Sequence, residues 1–377
     1  MDNLSRRKLL GALAFGAASL PLSGMAGWSQ FFAGRDPDAP LRVVAQRAGI
    51  RFGAAVSGDI LAKEDDFAIA VARECNVVVP ENDLKWDVLR PFPNAWDFTH
   101  ADRLLSFATD HDIAMRGHTL VWHDALPDWV KKRLSDGDTN DALAFLQEHI
   151  NTVVGRYQGK LICWDVVNEA VQPKDKRDDY LRDSPWLRAI GTTYIDAAFR
   201  FAAEADPDAK LIYNDYGAEF MGGQKAEAIL SLVRGMQDRK VPLHGVGIQA
   251  HLDVKGWMDH PKLEAFCRAV DRMGLELMIT ELDVRNDETP DDVKRAEVMV
   301  AGKTREFLDV VMGAVKPTQI LTWGLSSRST WLNRPPMNMA HQPIRPLPFD
   351  QDFQHTMMWR VLNDEMGRFP AAPRRVL

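Results

Sequence analysis

Two carboxylates stand out for the residues around them. Glu169 ends the run Trp164-Asp165-Val166-Val167-Asn168-Glu169, and Glu281 follows the apolar run 276–280 with Asp283 two residues on. One protonated and one ionised carboxyl group flanking the same bond is what hydrolysis of a glycosidic linkage requires. Further polar and aromatic groups stand just past other apolar runs: Glu81, Asn82, Asp83, Lys85 and Trp86; His118, Trp122 and His123; Asn214, Asp215 and Tyr216; Gln249 and His251; and Trp323, with Trp331 in the loop behind it. Taken singly, each has a bland explanation, since a lone Glu caps a helix, a lone His satisfies a core hydrogen bond and a lone Trp packs. Seven run ends carrying carboxylate, amide, imidazole or indole groups point instead to a shared site. A metal centre is the competing chemistry, because His118, His123, His251, Asp215 and two Glu are ligand types. No His-x-His, His-Glu-x-x-His or i, i+4 His pair occurs, and indole- and amide-rich surroundings suit a sugar better than a hard cation, so no metal and no cofactor is expected.

These groups need a scaffold that brings distant segments to one place. Eight short β-rich runs, at residues 51–56, 76–80, 113–117, 161–167, 210–213, 246–249, 276–280 and 319–323, are each followed by helical periodicity, plainest over 104–108, 193–205 and 225–237. Eight such units closed into a ring make an α/β fold, a single (β/α)8 TIM barrel with its active site at the C-terminal face of the strands. An open doubly wound sheet is the alternative, but no G-x-G-x-x-G follows the first strand and no G-x-x-x-x-G-K-[ST] occurs. Strand alternation puts Glu281 and Asp283 on one face. His251, from the neighbouring sixth strand, is then placed to bridge them and keep Glu281 ionised in one rotamer, with Gln249 on the same face as His251.

The whole chain has 377 residues, with 46 Lys+Arg against 53 Asp+Glu, a net charge of −7 and 46% hydrophobic residues, the proportions of a soluble globular protein. With no basic run longer than Arg6-Arg7-Lys8, nucleic acid is not an expected partner. Three Cys is an odd count with no zinc spacing, which suggests buried thiols. Eleven Trp against five Tyr suggests that flat faces are in use; Trp86, Trp122, Trp323 and Trp331 fall where a sugar would lie, while Trp164 falls inside a strand. Residues 1–26 carry a twin-Arg pair, an apolar stretch from Leu9 to Leu22 and small residues before Ala26. That stretch is shorter than the ~20 residues that span a bilayer. It reads as a twin-arginine-type signal peptide followed by a linker over 27–40 and a catalytic domain over 41–370. The mature protein would be a periplasmic or secreted monomer with no stable membrane insertion. Losing three basic residues and one acidic residue with the signal would leave it at −9.

The motifs together resemble glycoside hydrolase family 10, the retaining endo-β-1,4-xylanases, over roughly 41–360. The most specific are W-D-V-V-N-E-A at 164–170 and I-T-E-L-D-V at 279–284, supported by E-N-D-L-K-W at 81–86, R-G-H-T-L-V-W-H at 116–123 and Y-N-D-Y at 213–216. The resemblance implies that Glu281 is the nucleophile and Glu169 the acid and then the base, supported by Asn168, His251 and Asp283. It also implies that Glu81, Asn82, Lys85, His118, Trp122 and Gln249 line the glycone subsites, that Trp323 and Trp331 cover the sugar at the cleavage point, and that Tyr216 stacks on the aglycone side. The implied substrate is xylan or xylo-oligosaccharide, cut endo; exo action, a preference for short chains, or a non-catalytic sugar-binding barrel are the alternatives. The chain departs from the family pattern at Ala125, where a sugar-contacting Gln is usual, at Gly217, where Asn is frequent, and in Ser326-Ser327-Arg328-Ser329-Thr330, which lacks acidic residues.

Overall fold

Continuous apolar runs that are buried on both faces become parallel strands covered by helices. The computed structural model describes residues 37–220, 223–286, 292–334, 337 and 344–370, so the expected signal peptide and residues 27–36 of the expected linker lie outside the described residues. The strands are β1 (Arg51–Val56), β2 (Val77–Pro80), β3 (Ala114–Val121), β4 (Cys163–Asn168), β5 (Lys210–Asp215), β6 (Gly245–Ile248), β7 (His251–Asp253), β8 (Glu276–Arg285) and β9 (Gln319–Thr322). All pairings are parallel, β1 joins β9, and β6 joins β8, which closes the sheet into a barrel. β7 also pairs with β8, so β6 and β7 are two halves of one barrel strand, broken at Gln249 and Ala250. The fold is therefore the expected (β/α)8 barrel.

Apart from β7, which no run marks, the strands begin within two residues of the predicted starts, but several end later. β3 continues four residues past Gly117 to Val121, with a register shift between His118 and Val121. Its polar residues are accommodated inside because Asp165 on β4 serves both: His118 Nδ1 lies 3.0 Å from Asp165 Oδ2, and Thr119 Oγ1 donates to the Asp165 carbonyl at 2.9 Å. β8 likewise runs on through Glu281 and Asp283 to Arg285. Close approach inside the barrel explains Gly117, where a Cβ would sit 2.1 Å from the Trp164 ring. Trp164 is fully buried, as its strand position predicts.

Trp86 corrects an expectation. It is 1% exposed, donates Nε1 to the Leu120 carbonyl at 2.8 Å, and stacks on His149 at 3.5 Å, so it packs the layer between helices and barrel instead of meeting a sugar. The helices show ordinary start signals: Asp138 accepts from two backbone N–H groups at the head of Thr139–Arg156, and Ser184 caps Pro185–Ile190 with Pro in its first turn. Cys75, Cys163 and Cys267 are free and buried. Among the described residues no helix is long and apolar enough to cross a membrane.

Candidate active site

The C-terminal ends of β4 to β8 deliver one hydrogen-bonded constellation. Glu281, 4% exposed, accepts from Asn214 Nδ2 at 2.7 Å through Oε1, and its Oε2 lies 3.2 Å from His251 Nε2. The other His251 nitrogen, Nδ1, lies 2.9 Å from Asp283 Oδ1. The register sets this up, because His251 is paired directly with Asp283 across β7 and β8. Burial pushes the His251 constant down, but the charge and hydrogen bonds of Asp283 and Glu281 outweigh it and raise it well above the usual imidazole value, so both nitrogens donate. For Glu281, burial pushes up, while the His251 hydrogen bond, the charges of His118 and His251 and the Asn214 hydrogen bond bring it down to about 2. Glu281 is thus a buried, ionised carboxylate in a fixed rotamer. Beneath it, fully buried Arg116 pairs with Asp165, which also holds His118.

Glu169, the residue just after β4, lies in the left-handed region, φ 59°, a conformation that costs a non-glycine residue roughly 1–2 kcal/mol. Two contacts hold it there: its N–H donates to the Asn214 carbonyl at 2.9 Å, and its carbonyl accepts from Arg182 Nε at 2.8 Å. Its carboxylate accepts from Gln249 Nε2 at 3.1 Å, while Arg182 Nη2 and His123 Nδ1 stand 3.7 and 3.8 Å from Oε2. Burial, then the charge of Arg182, lowers His123 to about 4, so this imidazole is neutral at neutral pH. One edge of the Asn168 amide lies 3.0 Å from Asn214 Nδ2 and 3.1 Å from Gln249 Nε2, and the other 3.3 Å from Trp122 Nε1. The same two amides, Asn214 and Gln249, therefore tie Asn168 to both carboxylates.

On one side of this centre, Lys85 donates to Asn82 at 3.0 Å and lies 4.9 and 5.6 Å from the ring centres of Trp122 and Trp323, with Glu81 buried beside it. Burial lowers Lys85 and raises Glu81. Trp331 donates Nε1 to Asp283 Oδ2 at 2.7 Å and meets His251 edge-on at 5.3 Å. On the other side, Tyr216 OH accepts from Arg182 at 3.0 Å and Gln172 at 3.1 Å, and its ring has Lys225 Nζ 3.3 Å above it. Glu81, Asn82, Lys85, His118, Trp122, Asn168, Glu169, Tyr216, Gln249, His251, Glu281, Asp283, Trp323 and Trp331 thus lie at or near strand ends around the mouth of the barrel, whereas Trp86 packs away from it. Among the described residues no group of three or more His, Cys, Asp or Glu is arranged to hold a metal ion.

Sequence reasoning missed Arg182 and the roles of Asn214 and His123. Asn214 and His123 lie inside recognised motifs, whereas Arg182 sits in the charged loop 172–184 with no local signal. The departures have local explanations. Gly217 takes φ 83°, which Asn tolerates and Gly adopts without strain, so the backbone there survives the exchange. Ala125 also has positive φ (52°) and brings only a methyl group to a place where an amide could reach a sugar. Arg328 pairs with Glu64 at 3.1 Å and Asp66 at 2.8 Å, tying the loop after β9 to the segment after β1.

The family model described as Glycosyl hydrolase family 10 matches residues 40–364. The chain is 34% identical to endo-1,4-beta-xylanase B of Paenibacillus barcinonensis over 84% of this chain and 95% of that one. It is 39% identical to a beta-1,4-xylanase of Dictyoglomus thermophilum over 68% and 73%. Among solved structures, xylanase 10B of Thermotoga petrophila in complex with xylobiose superposes with a TM-score of 0.80 at 30% identity, covering 88% of this chain and 98% of that one.

Proposed function

This chain belongs to glycosyl hydrolase family 10, and on that premise we propose that it is an endo-1,4-β-xylanase hydrolysing internal bonds of xylan with retention of configuration. The observation that carries the mechanism is the line Asp283–His251–Glu281, which leaves one buried carboxylate ionised beside a second, Glu169, held in a different environment.

Glu281 attacks the anomeric carbon while Glu169 protonates the departing oxygen, giving a glycosyl ester on Glu281 and a shortened chain. Glu169 then takes a proton from water, which attacks the same carbon and frees Glu281. Retention calls for the two carboxyl groups to stand only ~5–5.5 Å apart. Asn168, between both carboxylates, is the group for the sugar 2-hydroxyl, a hydrogen bond that strengthens as the ring becomes oxocarbenium-like. Glu81, Asn82, Lys85, His118, Trp122 and Gln249 bind the glycone, Trp323 and Trp331 cover the sugar at the cleavage point, and Tyr216 receives the aglycone. The test compares wild type with Glu281→Ala and Glu169→Ala on xylan and defined xylohexaose. Internal cleavage by wild type and loss in Glu281→Ala are expected. Stepwise release of xylose would replace endo with exo action, and equal rates in wild type and Glu281→Ala would reject the mechanism.

The twin-Arg pair and apolar stretch of residues 1–26 support export of the catalytic domain over 41–370 by the twin-arginine route, to the periplasm or medium. Replacing Arg6 and Arg7 together with Lys should leave active enzyme in the cytoplasm; unchanged export would remove the twin-arginine reading.

A further inference from the structure

Arg182 has no part in the two displacement steps, yet it touches both halves of the site. The loop 172–184 folds back on its own start: Val171 bridges Leu181, the Arg182 N–H donates to the Ala170 carbonyl at 2.7 Å, and the Gln172 N–H donates to the Tyr180 carbonyl at 2.8 Å. That return sets the Arg182 side chain, 13% exposed, against Glu169. A guanidinium presents its N–H donors in a rigid planar fork and stays charged at any working pH. Here Nε donates to the Glu169 carbonyl at 2.8 Å, while Nη2 donates to Tyr216 OH at 3.0 Å and stands 3.7 Å from Glu169 Oε2. One side chain therefore meets the backbone of the acid, the carboxyl group of the acid and the tyrosine of the aglycone side.

Tyr216 is fixed by further contacts. Its N–H donates to Asp215 Oδ1 at 2.9 Å, and Lys225 Nζ lies 2.8 Å from that same oxygen and 3.3 Å from the centre of the Tyr216 ring. Asp215 Oδ2 accepts from the Val171 N–H at 3.3 Å, two residues after Glu169, and Gln172 donates to the Tyr216 hydroxyl at 3.1 Å. The seat of the leaving group and the segment carrying the acid are thus one hydrogen-bonded unit, with Arg182 joined to both. Glu169 needs such support, because its left-handed φ of 59° is held only where the surroundings enforce it.

We propose that Arg182 is a positioning residue for the proton transfer: it holds the Glu169 carboxyl group at the departing oxygen and ties that placement to Tyr216, so that acid and aglycone are aligned as one body. The inference rests on the xylanase reading and deepens it. In the first step the bond from the anomeric carbon to oxygen breaks as Glu281 bonds to that carbon. The oxygen leaves with the Glu169 proton or, where it is stable as an anion, without it. Proton transfer needs the two heavy atoms about 2.6–3.2 Å apart, so a displaced Glu169 gives little help to a leaving group that needs a proton. A leaving group that needs none is unaffected by the displacement.

The test is kcat/KM, which reports the first bond-breaking step, for wild type, Arg182→Met, Arg182→Lys, Tyr216→Phe and Glu169→Ala. The substrates are three aryl β-xylobiosides that release 2,4-dinitrophenol, 4-nitrophenol or phenol, so an aryl ring takes the aglycone seat in each and the need for a proton rises along the series. Arg182→Met should stay within about threefold of wild type on the dinitrophenyl substrate and lose about thirtyfold on the phenyl one, the direction of Glu169→Ala at smaller size. Arg182→Lys, with the charge but not the fork, should recover part of the loss. Tyr216→Phe removes only the hydroxyl that Arg182 contacts, and should show the same trend in weaker form; a flat response would overturn the tie to the aglycone side. An equal loss of Arg182→Met on all three substrates would overturn the proposal, because it marks a fold defect or a direct contact with the aglycone, and so would a wild-type rate on the phenyl substrate. A Glu169→Ala enzyme with no leaving-group dependence, or a wild type inactive on every xylobioside, would instead reject the xylanase mechanism and the role of Arg182 with it.

Discussion

His251 stands between two carboxylates, and its charge determines the state of the nucleophile. Burial alone would make Glu281 a weaker acid than usual; the His251 hydrogen bond is the largest influence opposing it. In His251→Asn that opposition is lost while burial remains, so the Glu281 constant rises from about 2 and the acid limb of the kcat/KM profile moves to higher pH by roughly one unit or more. A variant with reduced rate but an unmoved acid limb would show that His251 acts only through packing. This bridge was legible in the sequence, because Glu281 and Asp283 are two apart on one strand. Arg182 was not legible, because its contact with Glu169 depends on how the loop 172–184 folds back, which no periodicity encodes. Trp331 joins the same group through its bond to Asp283. An indole pinned there leaves room for xylose and crowds the extra CH₂OH of glucose. Trp331→Ala should therefore raise the ratio of aryl cellobioside to aryl xylobioside turnover, and an unchanged ratio would assign the preference elsewhere.

At the scale of the element, the starts of all strands but β7 were legible to within two residues, whereas the ends of β3, β5 and β8 were not. Apolar runs mark where a chain enters the barrel, but polar residues such as His118 and Asp283 continue the ladder because other strands satisfy them, and a single sequence contains no record of those partners. The break between β6 and β7 was hidden for the same reason: Ala250, at φ 61°, carries no glycine signal, yet it turns the backbone so that His251 resumes pairing opposite Asp283. Trp86 misled because a tryptophan at a run end reads alike whether it faces the cleft or the helices. Gly247 on β6 shows how strand packing serves the chemistry. A Cβ there would lie 2.2 Å from Asn214 Oδ1, and Asn214 is the donor to Glu281. Gly247→Ala must push Asn214 aside, costing about 1–3 kcal/mol of stability, and should lower kcat about tenfold or more with a smaller change in KM. Full activity with a lowered Tm would show that Asn214 is not needed where it stands.

For the molecule as a whole, the two faces of the barrel divide the work. The strand ends at the top carry the chemistry; the bottom face holds the ring closed. There Glu74, 1% exposed, ends the helix Asp65–Glu74, and one of its oxygens, Oε2, gathers three parts of the chain. It accepts from the Leu41 N–H at 2.9 Å, where the first described helix begins, and from Trp359 Nε1 at 3.3 Å on the last helix, Met357–Gly367, while Oε1 accepts from Arg73 at 2.8 Å. This gives Trp359 a role, in joining the ends of the barrel domain, that its composition alone could not supply. Removing the carboxylate strands a buried N–H and an indole N–H, at about 1–3 kcal/mol for each group left without a partner. Glu74→Ala should thus lower Tm by roughly 5 °C or more. Below the transition its kcat/KM on xylan should stay within about twofold of wild type, because the bottom face of such a barrel supports the fold and not the reaction. Glu74→Gln keeps an acceptor oxygen and should recover part of the loss. A Glu74→Ala enzyme with unchanged Tm would mean that the two ends are held by apolar packing alone, and one with normal Tm but poor turnover would place the bottom face in contact with the chemistry.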